Sequence, residues 1–342
     1  MEKKSLQLSH SIDLSIVIPL YRSEGTITDV VEELHRELAK LSISGYEIIL
    51  VNDASPDGVL GIAKKLAVSD SRVKVISLAK NCGQTTAMIV GYQYASGKYI
   101  VNMDDDFQNP AYEIGKLLDK LVSEDLDVVF AKYPSQKQKP YRLLGSRINY
   151  KMTEYMMNKP KGIQTNAFFI MRKFIGDEII KYNNNYPYVF GIIFAATDRV
   201  GNAEIAHRAR LKGESGYTLR SLISLWLNGV LNFSVKPLRL ATGFGFMVSL
   251  LAFIGVIWAF VSRILNPFAP LGWASTVIII LFLAGVQLVS IGLLGEYMGR
   301  LYISSSNLPK AVIRERVNLP EVESTQHIKD TRAEKKIEDE DL

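Results

Sequence analysis

Two long stretches without a charged residue restrict most strongly what this chain can fold into. Residues 240–262 are 23 consecutive uncharged positions, and residues 264–295 are 32 more, with Arg263 between them. About 20 apolar residues in a helix cross the hydrocarbon core of a bilayer. The second stretch begins with the turn-like segment 266–272 and continues as an apolar run from Trp273. We predict two transmembrane helices joined by a short hairpin. The alternative is a pair of buried core helices, which rarely run this long without a charge.

The basic residues around the two stretches predict their orientation. Lys236 and Arg239 precede the first, several more follow the second, and only Arg263 lies near the hairpin. Cytoplasmic flanks carry the excess of Lys and Arg, so both termini are expected in the cytoplasm of a multi-pass protein of the inner (cytoplasmic) membrane. The first 15 residues lack an apolar segment, so no signal peptide is expected.

These patterns divide the chain into four parts. A cytoplasmic domain (1–217) is followed by an amphipathic juxtamembrane helix (218–238), for which a core helix is the alternative. The transmembrane hairpin spans 239–297, and the cytoplasmic segment 298–342 ends the chain. In residues 321–342, 12 of 22 side chains are charged, so we predict disorder from about 321.

In the cytoplasmic domain, apolar runs alternate with amphipathic stretches. This alternation predicts a doubly wound, mostly parallel α/β sheet with helices on both faces. In such sheets ligands bind beyond the carboxyl ends of the strands. The predicted strands are 14–20, 47–51, 73–78, 99–103 and 127–131, and the predicted helices are 26–41, 59–69, 84–95 and 111–123.

Three consecutive carboxylates, Asp104, Asp105 and Asp106, follow the fourth predicted strand. They repel one another unless a cation neutralises them. In an extended chain, residues i and i+2 point the same way, so Asp104 and Asp106 are expected to converge on one ion while Asp105 faces elsewhere. With one cysteine and four histidines in the chain, oxygen ligands for Mg²⁺ or Mn²⁺ are favoured over a thiolate or histidine site. A solvated acidic turn is the alternative.

The ends of the other strands indicate a nucleotide pocket. Pro19 and Tyr21 end the first strand, where the tyrosine ring can stack on a base, and Asp53 ends the second. Neither end has a G-x-G-x-x-G or G-x-x-x-x-G-K-[ST] motif, which argues against dinucleotide oxidoreductases and P-loop NTPases.

The region after the fifth strand is basic. Residues 132–161 hold eight Lys or Arg and one Glu, and further cations lie in 207–217. This charge fits a diphosphate or an anionic lipid leaflet. Nucleic acid is not expected, since no aromatic-interleaved RNA motif accompanies the cations.

Five motifs occur in an order that resembles family 2 glycosyltransferases: IPLYRSE (18–24), VNDASPDG (51–58), LAKNCGQ (78–84), MDDDFQNP (103–110) and R-x-x-G-E-S-x-Y (210–217). Over about residues 12–305 the chain resembles most the polyprenyl-phosphate glycosyltransferases, which include bactoprenol glucosyltransferases and dolichyl-phosphate mannose synthases. The two C-terminal spans and the segment LNFSVKPLR (231–239) favour the bactoprenol branch. The resemblance implies a GT-A (Rossmann-like) fold. It also implies inverting transfer of a hexose from a nucleotide diphosphate sugar, with UDP-sugar as the expected donor, to undecaprenyl phosphate for cell-envelope glycans.

The resemblance also assigns residue roles, and no general base is among them because an ionised acceptor phosphate is already a nucleophile. The implied nucleotide contacts are Pro19, Tyr21, Asp53, Gly83, Gln84 and Asp104. The implied ligands of Mg²⁺ or Mn²⁺ are Asp104, Asp106 and Gln108. The implied phosphate contacts are Lys132, Arg142, Arg147, Arg210 and Lys212, and the implied catalytic residues are Asp104, Asp106, Arg147 and Arg210.

Two positions depart from the family pattern. Arg22 and Ser23 stand where the family commonly has Asn-Glu, and Asn166-Ala167 stand where the glucosyltransferases have Gly-Asp. The departures keep two alternatives open: transfer of a modified sugar or to another lipid acceptor, and a non-catalytic membrane-bound subunit that binds a nucleotide sugar. A homo-oligomer is also left open.

Overall fold

The fold was analysed in a computed structural model, which describes residues 12–133, 159–182, 187–206, 236–265, 272–305 and 309–319. The described strands are β1 (Leu14–Leu20), β2 (Tyr46–Asn52), β3 (Val73–Leu78), β4 (Tyr99–Asn102), β5 (Val128–Lys132), β6 (Phe169–Arg172), β7 (Val200–Glu204) and β8 (Ile313–Val317). The described helices are α1 (Ile27–Leu38), α2 (Val59–Ser69), α3 (Gln84–Gln93), α4 (Ile114–Ser123, after a 3₁₀ turn at Ala111–Glu113), α5 (Lys173–Lys181), α6 (Val189–Ala196), α7 (Lys236–Leu265) and α8 (Trp273–Ser305).

The eight described strands form one sheet in the order β7-β5-β6-β4-β1-β2-β3-β8. β1 pairs in parallel with β2 and β4, β2 with β3, and β5 with β7. β6 runs antiparallel between β4 and β5, and β8 runs antiparallel along β3. The sheet therefore brings the carboxyl ends of β1 to β5 and the amino end of β6 to one edge.

Helices cover both faces of the sheet. All seven residues of β1 are buried because alternate side chains enter two separate cores. Leu14, Ile16 and Ile18 pack with apolar residues of α1, α2 and α4, whereas Val17 packs with α3, α5 and α6. This arrangement confirms the predicted α/β architecture.

The predicted elements agree closely with the described ones, but the sequence missed three strands. β1, β3 and α2 have the predicted bounds, and the other predicted elements differ by up to three residues at either end. β6 and β7 are short, and β8 has the sequence IRERV, whose charged residues hide its apolar alternation. Because β6 and β8 are antiparallel, the sheet is mixed.

Two long helices occupy the region of the predicted hairpin. α7 has 30 residues and α8 has 33. Among the described residues, one segment, Phe282–Ile303 of α8, is long and apolar enough to span a membrane, and α7 contains a shorter apolar segment, Ala241–Gly255. The helices expose large apolar side chains, including Phe246, Trp258 and Val289. The two-span topology remains a prediction. Residues 266–271, most of 218–238, and the tail from 320 lie outside the described residues.

β8 returns the chain to the sheet after α8. It pairs with β3, and the Ala79 N–H donates to the Val312 carbonyl. The Asn318 side chain donates to the carbonyls of Ala67 (2.5 Å) and Val73 (2.9 Å). The segment 309–319 thus covers an edge strand that would otherwise expose unpaired backbone groups.

Candidate functional site

A cavity of about 530 Å³ opens at the carboxyl-end edge of the sheet. We call it the aspartate cavity. It lies where β1, β2, β3 and β4 end, as expected for a doubly wound sheet. Its lining residues are Pro19, Leu20, Tyr21, Asp53, Asn81, Gly83, Gln84, Asp104, Asp105, Asp106 and Ala167.

Asp53 holds the loop that follows β3. Its carboxylate is buried and accepts two backbone hydrogen bonds, from the Cys82 N–H to Oδ1 (2.7 Å) and from the Gly83 N–H to Oδ2 (2.8 Å). The Asn81 side chain donates to the Asp53 carbonyl at 3.3 Å. Because both carboxylate oxygens are already engaged, Asp53 shapes the pocket wall as well as lining it.

Gly83 is required by the local backbone. Its φ of +86° lies in the left-handed region that other L-residues rarely adopt, although a Cβ there would meet no atom within 4 Å. This conformation turns the chain into α3, whose first residue, Gln84, donates from Nε2 to Asp104 Oδ1 at 2.7 Å. The conformation of Gly83 therefore helps to align Gln84 with Asp104.

Asp104 and Asp106 both line the aspartate cavity. Burial, together with the negative charges of Asp106 and Asp105, raises the pKa of Asp104 to about 6. Burial also raises the pKa of Tyr133 to about 12, and the charges of Asp104 and Asp106 add to this effect. The Tyr133 hydroxyl also donates to Asn109 Oδ1, so the residue that follows β5 lies close to the aspartate loop.

Asp105 lines the aspartate cavity too, whereas the sequence predicts that it faces elsewhere. The prediction assumes an extended chain, but β4 ends at Asn102 and Phe107 has a φ of +65°. The bent loop turns the Asp105 carboxylate toward the loop after β1, where Oδ2 accepts the Tyr21 N–H at 3.0 Å.

The donor set fits a hard divalent cation. Asp104 and Asp106 offer carboxylate oxygens in one cavity, and a cation between them would relieve the repulsion that adds to the effect of burial on the pKa of Asp104. In the described part of the chain, no group of three or more His, Cys, Asp or Glu side chains could hold a metal ion. The fit is therefore to a cation that takes further ligands from water or substrate oxygens. Gln108 is not among the cavity's lining residues, and its N–H donates to Asp106 Oδ1 at 3.1 Å.

Lys132 lies apart from the aspartates. Its ammonium pairs with Glu204 at 2.9 Å and lines a separate cavity with Lys116, Lys120 and Lys161. The next residue, Tyr133, is in contrast close enough to Asp104 and Asp106 for their charges to affect its pKa. The other predicted phosphate contacts, Arg142, Arg147, Arg210 and Lys212, lie outside the described residues.

Ala167, one of the two residues that depart from the family pattern at 166–167, lines the aspartate cavity. It precedes β6, whose antiparallel direction brings its amino end to the edge where β4 ends. The Asn102 side chain donates to the Ala167 carbonyl at 2.7 Å, and Asn166 Nδ2 donates to the Ala131 carbonyl at 2.6 Å. The departure from the family pattern at 166–167 therefore lies at the cavity itself.

Comparison with known proteins identifies two matching family models. Residues 15–180 match the family 2 glycosyl transferase model, and residues 236–301 match the model described as the GtrB C-terminal hairpin. The first match contains the described aspartate cavity, and the second covers α7 and most of α8.

Similar curated proteins align over most of their length. A prophage bactoprenol glucosyl transferase homolog of Escherichia coli (strain K12) is 31% identical over 88% of this chain and 98% of its own. The bactoprenol glucosyl transferase of Shigella phage SfV has the same identity and coverage. The glycosyltransferase YkcC of Bacillus subtilis (strain 168) is 29% identical over 90% of this chain and 95% of its own.

Among solved structures, glucosyl-3-phosphoglycerate synthase from Mycobacterium tuberculosis superposes with a TM-score of 0.49 and 15% identity, over 65% of this chain and 78% of that one. The assignment of this chain to a family rests instead on the family models and on the relatives that align over most of their length. On that basis the chain belongs to the family 2 glycosyltransferases, in the group that joins a GT-A domain to a GtrB-type C-terminal hairpin.

Proposed function

We propose that this enzyme transfers a hexose, with inversion, from a nucleotide diphosphate sugar to a polyprenyl phosphate at the cytoplasmic face of the membrane. The observation that carries the proposal is the aspartate cavity, because Tyr21, Asp53, Asp104 and Asp106 converge there from three strand ends, those of β1, β2 and β4. The bactoprenol glucosyl transferases that align with the whole chain support a polyprenyl phosphate acceptor. UDP-glucose and undecaprenyl phosphate are the first substrates to test.

The nucleotide occupies the side of the cavity formed by the loops after β1, β2 and β3. Tyr21 offers a ring that is 45% exposed and can stack on a base. Pro19 and Gly83 line this side of the cavity and have no long side chain that would obstruct the nucleotide. Asp53 holds the loop that contains Gly83 by accepting its N–H. Gln84 then orients Asp104 toward the diphosphate side.

Asp104 and Asp106 are the residues that would hold Mg²⁺ or Mn²⁺, with Gln108 as a ligand only if its loop rearranges. The cation would neutralise charge on the departing nucleotide diphosphate. Arg142, Arg147, Arg210 and Lys212 are the proposed partners of the diphosphate and the acceptor phosphate. For Lys132, the ion pair with Glu204 favours a role outside this set.

The reaction needs no general base from the protein. A phosphate monoester has a second pKa of about 6 and is largely ionised at pH 7. Asp105 is the nearby carboxylate that could act as a base, but it already accepts the Tyr21 N–H. Catalysis then depends on positioning the two phosphates and stabilising the leaving group.

The long C-terminal helices suit the proposed acceptor. A polyprenyl chain stays in the bilayer, so an enzyme that uses it must work at the membrane surface. α8 has one segment able to span a membrane, and the exposed apolar faces of α7 and α8 are suited to lipid. The proposed topology has two spans and both termini in the cytoplasm.

A donor screen tests the proposal. Membranes containing the protein are incubated with a short polyprenyl phosphate, Mg²⁺ or Mn²⁺, and each of several radiolabelled nucleotide sugars. We expect one donor to label the lipid fraction, and Asp106→Ala to reduce the labelling at least about a hundredfold. Asp119→Ala is the matched control, since this carboxylate is exposed on α4 and away from the cavity. Labelling that survives in Asp106→Ala would contradict the role of Asp106, and no labelled lipid with any donor would contradict the transfer.

A second candidate is transfer of a modified sugar. The specific observation is Ala167, which puts a methyl group in the cavity where related glucosyltransferases are expected to have a carboxylate. A less polar wall favours a donor sugar with fewer hydroxyl groups to bind. Mass spectrometry of the lipid product distinguishes the candidates, because it reports the mass of the transferred sugar.

A further inference from the structure

Asp105 makes contacts that differ in kind from those of its two neighbours. Its Oδ2 accepts the backbone N–H of Tyr21 at 3.0 Å, and its backbone carbonyl accepts the Thr26 hydroxyl at 2.6 Å. Both partners belong to the loop between β1 and α1, about 80 positions earlier in the chain. Asp105 therefore joins the aspartate loop to the loop that carries the exposed Tyr21 ring.

The loop after β1 is also fastened on its opposite side. The Arg22 N–H donates to Ser55 Oγ at 2.8 Å, and the Glu24 N–H donates to Asp57 Oδ2 at 3.0 Å. Arg22 has a φ of +59°, which is an uncommon conformation for a residue other than glycine. A loop in such a conformation keeps it only where surrounding contacts enforce it. The contacts on one side come from the loop after β2, and those on the other side come from Asp105.

We infer that Asp105 is a positioning residue. It fixes Tyr21 relative to Asp104 and Asp106, so that the nucleobase and the diphosphate of the donor are bound in one rigid geometry. The inference deepens the proposed function and rests on it in one respect, namely that Tyr21 contacts the donor nucleotide. An anionic acceptor suits this task because a charged hydrogen bond to a backbone N–H is stronger than a neutral one. Asp105 touches no reacting atom in this role.

Two other roles for Asp105 make different predictions. A general base would be needed for the chemical step and would leave nucleotide binding unchanged when it is removed. A purely structural residue would change folding stability and leave the affinity of the folded protein for nucleotide unchanged. A positioning residue changes donor affinity in the folded enzyme, and an amide that keeps the hydrogen-bond acceptor rescues it.

The test compares Asp105→Ala and Asp105→Asn with the wild type in the full-length, detergent-solubilised protein. Calorimetry with UDP, the nucleotide of the expected donor, in the presence of Mn²⁺ measures binding without any acceptor. We expect Asp105→Ala to raise Kd and the donor KM about tenfold, the loss expected for one hydrogen bond, and to change kcat less than about threefold. Asp105→Asn is expected to stay within about threefold of the wild type in both constants. Asp119→Ala is the matched control and is expected to match the wild type.

Three results would overturn the inference. A fall in kcat of a hundredfold or more in both variants with Kd unchanged would make Asp105 a catalytic base. A lower thermal midpoint with unchanged Kd in Asp105→Ala would make it purely structural. An equal loss of affinity in Asp105→Asn and Asp105→Ala would show that the accepted hydrogen bond is not what matters. If the wild type binds the nucleotide but labels no lipid, the proposed transfer fails while the binding comparison still decides the role of Asp105.

Discussion

Asp53→Asn is the substitution whose consequence can be worked out most fully. The two oxygens of Asp53 accept the N–H groups of Cys82 and Gly83 at 2.7 and 2.8 Å. An asparagine keeps one acceptor oxygen but presents an NH₂ group to the other N–H, so one bond is lost and one partly buried donor is left unpaired. A hydrogen bond to a charged group contributes about 1.5–3 kcal/mol, and an unpaired buried donor costs about 1–3 kcal/mol. Allowing for partial relaxation, we expect the loop after β3 to lose roughly 2–4 kcal/mol of local stability.

Hydrogen exchange measures this loss at the two amides concerned. A change of about 1.4 kcal/mol is tenfold in an equilibrium constant, so the amides of Cys82 and Gly83 should exchange about 30- to 700-fold faster in Asp53→Asn than in the wild type. The assay is exchange mass spectrometry on a peptide containing both residues, with Asp119→Asn as the control. The affinity of the protein for nucleotide should fall together with the stability of this loop, because Gln84 directly follows Gly83. Unchanged exchange at these two amides would refute the reasoning, whatever happened to activity.

Three further predictions concern the framework of the site. Gly91→Ala should lower the free energy of unfolding by about 1–3 kcal/mol in denaturant titrations, since the added Cβ would lie 2.3 Å from Val17 Cγ1. An unchanged free energy of unfolding would mean that α3 is not packed against β1 as described. Glu47 is buried, which alone would raise its pKa, but hydrogen bonds from Lys74, Ser15 and Ser96 outweigh burial and hold the pKa below its ordinary value. The contribution of Glu47 to stability is therefore present above the unfolded pKa of about 4.3 and is lost as pH falls through the folded pKa. The difference in the free energy of unfolding between the wild type and Glu47→Gln should be about 1–3 kcal/mol at pH 7. This difference should shrink below about pH 4. A gap that did not change with pH would contradict this account. A chain stopped after residue 319 should keep the wild-type thermal midpoint, whereas one stopped after 308 should melt earlier because it lacks β8; equal midpoints would show that β8 does not stabilise the sheet.

Much of the fold could be predicted because its strands are locally distinct. Continuous apolar runs such as 14–20 and 73–78 have one stable placement, inside a sheet covered on both faces. β6 and β8 could not be predicted in the same way. Each is short and gains its stability from a partner far away in sequence, Phe169 opposite Asn102 and Val317 opposite Val75. Their antiparallel direction is a property of the whole sheet and leaves no local pattern.

The same distinction applies to the candidate site, where some features follow from the order of the strands and others depend on the folded backbone. The convergence of Tyr21, Asp53 and Asp104 follows from the rule that parallel strands end at one edge, and the cavity contains all three. Side-chain direction beyond a strand end does not follow from that rule. Asp105 turns into the cavity because the chain bends after Asn102, and Lys132 pairs with Glu204 because both end neighbouring strands. These details depend on backbone angles and pairings that only the folded chain defines.

The most direct test of the central claim is the rate of sugar transfer to a polyprenyl phosphate, measured against Mn²⁺ concentration for the wild type, Asp106→Ala and Asp119→Ala. The account predicts that label enters the lipid in a metal-dependent, saturable way for the wild type and the Asp119 variant, and that the Asp106 variant stays inactive at every Mn²⁺ concentration. Transfer by the wild type that is fully retained after chelation of all divalent metal, or an Asp106 variant with wild-type turnover, would contradict it.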